Sequence, residues 1–322
     1  MNSDIIKCLE RIEHKINAVS SISENSLSST SHYFKRNVLP NDSGLSQKLF
    51  CTNLANIYND RQLSTEDLMD YGFRVFSQND EDGIILAIFS IIGCTNKKVL
   101  EIGSNCYGSD IGIPENCSTN LIVNHNWHGT IIDIDTTACE QLTYFFARNF
   151  STKHFHHETN GVNSYYNPVI MNNAVSPENI EQLVQKKSSD QCYDLIIVDI
   201  DGEDFNVVRN MLRFKPRVLI VEFEKRFRDE HSVYQSERSD FNGRFNQSGT
   251  VSLSAWEKLL SKSGYSLVAV NHPCFNAFFV LDSENNGKIQ TKSANEIFIN
   301  HNVFDNVSTD FWVEPDSSWH KY

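Results

Sequence analysis

Four carboxylates crowd into six residues at Asp199-Ile-Asp-Gly-Glu-Asp204, at the end of the apolar run Leu195–Ile200. Asp199 and Asp201 are two residues apart, which puts both on one side of an extended segment. Such a pair can hold a hard divalent cation such as Mg²⁺ through oxygen, take the proton of a hydroxyl, or balance a positively charged ligand. Glu222 ends the next apolar run, Val218–Phe223, with Glu224 just beyond it. Glu222 is the third carboxylate expected in the same crevice, so Asp199, Asp201 and Glu222 form the candidate metal set. His272, after the run Ser266–Val270, is a candidate base where an acceptor would enter. His125 and His128 flank Trp127 ahead of a strand and read as structural, while His154, His156 and His157 lack the spacing of a zinc enzyme.

A second group of residues has binding chemistry. In Val99-Leu-Glu-Ile-Gly-Ser-Asn-Cys-Tyr-Gly108 an apolar run reaches Glu101, turns at Gly103 and enters a loop through Ser104. The loop has neither the Gly-x-Gly-x-x-Gly of a dinucleotide site nor the Gly-Lys-Ser/Thr end of a P-loop. Cys106 and Tyr107 are bulky, and Glu101 would repel a phosphate. Asp133 closes the following strand, where an acid can accept both hydroxyls of a ribose; Asp135 is better placed to cap a helix. Glu101, Gly103, Ser104, Asp133 and Asp199 are the candidate cofactor contacts. A ligand with an adenosine half, an amino-acid half and a positive centre suits them, and S-adenosylmethionine (SAM) has all three.

The elements that must position these residues alternate. Ser77 to Asp82 offers helix caps ahead of an apolar helix at 83–92. Strands are predicted at 99–102, 130–134, 169–175, 195–200, 218–223, 266–270 and 277–281, with helices at about 138–148, from Ser176, and at 252–263. Strands alternating with helices predict a doubly wound parallel α/β sheet. Continuous apolar strands are those of a sheet covered on both faces. In such sheets the ligand lies beyond the carboxyl ends of the strands, where the candidate residues fall. Residues 225–249 read as one long polar loop, a candidate lid that grips an acceptor through Lys225, Arg226, Arg228, Arg238 and Arg244.

Ile5, Leu9, Ile12, Ile16 and Val19 form a short heptad seam over residues 4–19, a candidate contact between copies of the chain. A Ser-rich linker completes residues 1–31, a helical appendage is expected over 32–75, the α/β domain over 76–284 and a C-terminal extension over 285–322. The net charge of −13 on 322 residues argues against a nucleic-acid partner. The longest apolar run, Ile84 to Ile92, falls well short of a membrane span. Eight scattered cysteines without a Cys-x-x-Cys predict free thiols and a cytoplasmic setting.

Six motifs in order resemble FkbM-like class I SAM-dependent methyltransferases. They are Phe76-Ser-Gln-Asn-Asp-Glu-Asp-Gly83, Val99-Leu-Glu-Ile-Gly-Ser, Asn126-Trp-His-Gly-Thr-Ile-Ile-Asp133, Asp194-Leu-Ile-Ile-Val-Asp-Ile-Asp-Gly-Glu-Asp204, Arg217-Val-Leu-Ile-Val-Glu222 and Asn276-Ala-Phe-Phe-Val280. The resemblance implies a Rossmann-like sheet and methyl transfer to an oxygen of a sugar or glycan. It also implies SAM held by Glu101, Gly103 and Asp133, with Asp199 and Asp201 beside the methyl group. Loop residues 104–107 and the stretch from Gly108 to Cys117 depart from that pattern. Two other readings compete: a catalytically inactive scaffold assembled through residues 4–19, and a sugar-nucleotide enzyme with another cofactor.

Overall fold

The computed structural model describes residues 39–60, 67–104, 113–148, 157–159, 162–164, 168–185, 192–235, 250–305 and 307–322. The heptad seam and Ser-rich linker lie outside them, as do Cys106, Tyr107, Arg238 and Arg244.

In chain order the strands are β1 (Lys98–Ile102), β2 (His128–Asp133), the small hairpin of β3 (His157–Thr159) and β4 (Val162–Ser164), then β5 (Val169–Asn172), β6 (Leu195–Val198), β7 (Val218–Glu222), β8 (Val233–Tyr234), β9 (Tyr265–Val270), β10 (Asn276–Leu281) and β11 (His320–Lys321). The main helices are α1 (Leu39–Asp60), α2 (Glu81–Ile92), α3 (Thr119–His125), α4 (Thr136–Arg148), α5 (Ile180–Gln185), α6 (Asp204–Met211), α7 (Leu253–Ser261), α8 (Asp282–Asn285) and α9 (Ala294–Asn300).

Seven strands form one sheet in the order β5-β2-β1-β6-β7-β10-β9. All run parallel except β10, which is antiparallel to both β7 and β9. The strand order reverses direction between β1 and β6, so the topological switch point lies there. This is the doubly wound Rossmann-like sheet predicted above, closed by a reversed strand that the apolar pattern did not foretell.

Side chains alternate across the sheet with period two. Val99, Ile131, Leu195, Ile197, Val218 and Ile220 pack into one buried cluster with α2, α3 and α4. Leu100, Ile102, Ile132, Ile196, Val198, Leu219 and Val221 pack into the other with α5, α6 and α7. That parity decides where the acids point. Glu101, Asp133, Asp199 and Glu222 share the parity of the first set, so all four face the side on which α2 begins. At the amino ends of the strands, Asp194 locks the sheet. It accepts from the backbone N–H groups of Thr95, Asn96 and Lys97 and pairs with Arg217 at 3.6 Å.

The region expected to be a helical appendage belongs to the body of the domain. Leu54 of α1 and Leu68 sit in the same buried cluster as α2, and Gln47 of α1 meets Asn120 and His125 of α3. His125 is held neutral there, its pKa lowered to about 4 by burial and by nearby Lys48 and Lys97, as its structural reading requires. The sequence pattern overran four strands: Ile134 is 59% exposed and lies past β2, β5 ends at Asn172 rather than 175, β6 at Val198 rather than 200, and β7 at Glu222 rather than 223.

Residues 225–235 are also not the open loop expected. A short 3-10 turn spans Lys225–Phe227, and β8 pairs with β11 near the C-terminus. The basic side chains there are already occupied. Lys225 Nζ donates to the Pro273 carbonyl at 2.6 Å, Arg226 pairs with buried Glu224 at 2.7 Å, and Arg228 stacks over Trp312.

Candidate active site

A cavity of about 750 Å³ opens at the carboxyl ends of β1, β2, β6 and β7, beside the switch point. Its lining includes Glu101, Gly103, Ser104, Asp133, Asp199, Asp201 and Glu222. His272 is not among the lining residues. It is exposed, its backbone N–H donates to Asp80, and its ring lies 5.5 Å from that of His301.

At the β1–β2 end the loop is built around Gly103. Its φ is +81°, and a Cβ there would fall 1.5 Å from the carbonyl oxygen of Asp199. The glycine is therefore required by the close approach of β6, whose Asp199 N–H donates to the Ile102 carbonyl at 2.9 Å. The chain then turns so that the Ser104 N–H donates to Asp133 Oδ2 at 2.7 Å, while Asp133 Oδ1 accepts from the Asp135 N–H at 2.6 Å. Asp135 in turn accepts from the Ala138 N–H at the start of α4, the capping role expected of it. Ser104 Oγ accepts from Asn116 Nδ2 at 2.8 Å. Both polar groups of Ser104 thus brace the loop and aim Asp133.

Glu101 is 2% exposed. Its parity turns it toward the start of α3, where it accepts from the N–H groups of Cys117 and Ser118 and from the Ser118 hydroxyl. Burial lifts its pKa to about 7 despite those donors. Between the unfolded value of 4.5 and 7, the folded chain keeps a proton that the unfolded chain has released. Stability from this group is therefore complete below 4.5 and is lost as pH rises through 7. The slope is at most about 1.4 kcal/mol per pH unit. Denaturant melts between pH 5 and 8 should show stability falling with pH, and Glu101→Gln should flatten that fall; equal slopes in the two proteins would refute the assignment.

At the β6–β7 end, Val198 pairs with Val221, so Asp199 and Glu222 emerge side by side. Asp201 completes a trio in which one carboxylate oxygen from each residue lies within 4.8 Å of the others. Burial first, and then the neighbouring acids, push Asp199 and Glu222 well above the usual carboxylate range. Asp201 has φ +50°, a left-handed backbone rare for a residue with a Cβ. The last acid of the run has another task. Asp204 is buried and accepts from the Ile200 and Gly202 N–H groups and the Thr250 hydroxyl, which closes the turn into α6.

Other lining residues were not singled out by the sequence. Glu81 opens α2 and accepts from Asn271 Nδ2 at 2.7 Å and Asn276 Nδ2 at 3.0 Å. These partners are nearly 200 positions away along the chain, so no local pattern could announce them. Gln78, Asn116 and Asn173 complete a wall rich in amides. Among the described residues, none that lines the cavity is Lys, Arg or His.

No family model matches the chain, and no curated protein does. Among solved structures it is similar to the CurJ carbon methyltransferase, with 12% identity and a TM-score of 0.35 over 62% of this chain and 52% of that one. It is similar also to the CMeT domain of the citrinin polyketide synthase, with 12% identity and a TM-score of 0.34 over 64% of this chain and 54% of that one. The chain thus spans about half the length of each. The strand order and the cavity, rather than these likenesses, carry the functional reading.

Proposed function

We propose that this chain is a SAM-dependent methyltransferase that acts on an oxygen, with a sugar or glycan hydroxyl as the acceptor. One observation carries the reading. The switch-point cavity has a braced acid, Asp133, at its β2 end and, at its β6–β7 end, three carboxylates without a basic partner among the described residues. The first suits the ribose of an adenosine, and the second suits a positive centre.

SAM, when bound, supplies a methyl group activated by a sulfonium sulfur. The chain supplies position and a place for a proton. Asp133 has lone pairs left beyond its two loop hydrogen bonds and would accept from ribose hydroxyls. The amide-rich wall of Gln78, Asn116 and Asn173 offers donors and acceptors to a hydroxyl-bearing acceptor. Asp199 or Asp201 would take the proton of an acceptor hydroxyl whose oxygen receives the methyl group that SAM would supply. A carboxylate whose pKa is raised is the better base at neutral pH, and both are raised. Placement of the oxygen in line with the methyl supplies most of the rate. The six described cysteines are free, which fits a reducing, cytoplasmic setting. Among the described residues no helix is long and apolar enough to cross a membrane.

The test is transfer of a labelled methyl group to a panel of glycan acceptors. Asp199→Ala and Asp201→Ala should each lower turnover by about 10² or more, the scale of a lost general base, while the chain still binds SAM. Intact turnover in both variants would remove these residues from catalysis.

A further inference from the structure

The acids around the cavity fall into two kinds. Asp82 takes four hydrogen bonds through one oxygen, from the N–H groups of Val75, Phe76 and Ser77 and from the Ser77 hydroxyl. Glu81, Glu101, Asp133 and Asp204 are likewise met by two or more donors each. Asp199, Asp201 and Glu222 are different. No described residue donates a hydrogen bond to any of the three carboxylates. Glu222 Oε2, like Asp82 Oδ1, is shut off from solvent and has no partner among the described residues, but Asp82 is held by four donors through its other oxygen and Glu222 by none. Buried polar atoms are rarely left this way, and one that is calls for an ion, a water or a ligand. Asp199 and Glu222 are partly buried and Asp201 is exposed; carboxylates that cluster without donors repel one another unless something positive joins them.

The geometry points to a divalent-cation site formed by Asp199, Asp201 and Glu222. Three carboxylate oxygens mutually within 4.8 Å can surround one ion whose metal–oxygen distances are about 2.0–2.6 Å. All-oxygen anionic ligands select a hard cation, Mg²⁺ or Mn²⁺, over softer metals. Three carboxylates would leave room at such an ion for water or for acceptor oxygens, and all three residues line the cavity. Each carboxylate has two oxygens, so ligation through one leaves the second able to accept a proton. The site does not depend on the identity of the methyl donor. The rival occupant of the same charge pocket is the sulfonium itself, and the two can be separated.

The experiment is a titration of the full chain with MnCl₂ in the absence of any nucleoside, followed by calorimetry and by the loss of the free-Mn²⁺ electron paramagnetic resonance signal. One saturable site is expected. Glu222→Gln and Asp201→Asn should each weaken it at least about tenfold, the scale on which metal-site substitutions act. Asp201 is exposed, so its variant reports even if the substitution at Glu222 disturbs the fold. Two results would overturn the proposal: no saturable Mn²⁺ binding, or affinity unchanged in both variants. SAM binding without Mn²⁺ binding would assign the trio to the sulfonium and leave the methyltransferase reading standing. Mn²⁺ binding without SAM binding would keep the metal site and remove that reading.

Discussion

Gly103→Ala is expected to destabilise the chain by about 3 kcal/mol or more, the range reserved for severe backbone and packing faults. Two costs add. The first is a side chain at φ +81°, where L residues are strained. The second is contact with backbone, since the new Cβ would lie 1.5 Å from the Asp199 carbonyl oxygen. That oxygen is backbone just past β6, where the Asp199 N–H is held by the Ile102 carbonyl at 2.9 Å, so it cannot yield as a flexible side chain would. Gly287 separates the two costs. Its φ is +73° with nothing within 4 Å of a Cβ, so Gly287→Ala should cost only about 1 kcal/mol. Equilibrium urea melts of both variants provide the check. A Gly103→Ala protein as stable as Gly287→Ala would show that β1 and β6 do not approach as described.

Asp133→Ala should weaken SAM binding by about 30-fold or more, corresponding to the roughly 2 kcal/mol or more carried by hydrogen bonds to a charged group. The loss is twofold: the ribose acceptor goes, and the N–H groups of Ser104 and Asp135 lose the carboxylate that sets the loop. Asp135→Ala is the matched control. That acid also lines the cavity, yet it accepts from the Ala138 N–H at a helix start. Its loss should cost about 1 kcal/mol of stability and leave affinity within a few-fold. Calorimetric titration of the two variants decides. Equal affinities would place the ribose elsewhere.

The parts of this fold that the sequence announced are those with a repeating physical cause. Val99, Leu100 and Ile102, or Leu195 to Val198, are apolar at every position because α-helices cover both faces of the sheet. From such strands the carboxyl ends follow, and reading those ends put Asp199, Asp201 and Glu222 in one crevice; one oxygen of each lies within 4.8 Å of the others. Gly103 was legible as a turn, but its reason was not. It is required by the Asp199 carbonyl from a strand some 95 positions later, not by a ligand.

Other features had no signal of that kind. Glu81 looked like one more helix-start acid, yet Asn271 and Asn276 draw it into the cavity. Glu101 lines the cavity from its strand end, but nothing local announced that its oxygens also accept from Cys117 and Ser118 at the start of α3. His272 was placed by proximity to a strand end, but loop direction is not encoded in periodicity, and its ring turns to His301. β8 and β11 are two residues each, too short for alternation to show, and their pairing joins positions far apart in the chain.

The measurement that tests the account most directly is calorimetric titration of the full chain with SAM and with S-adenosylhomocysteine, each with and without Mn²⁺. One saturable site with micromolar affinity, about −8 kcal/mol, is expected, weakened by Asp133→Ala and spared by Asp135→Ala. A folded chain that shows no saturable binding of either ligand under either condition would contradict it.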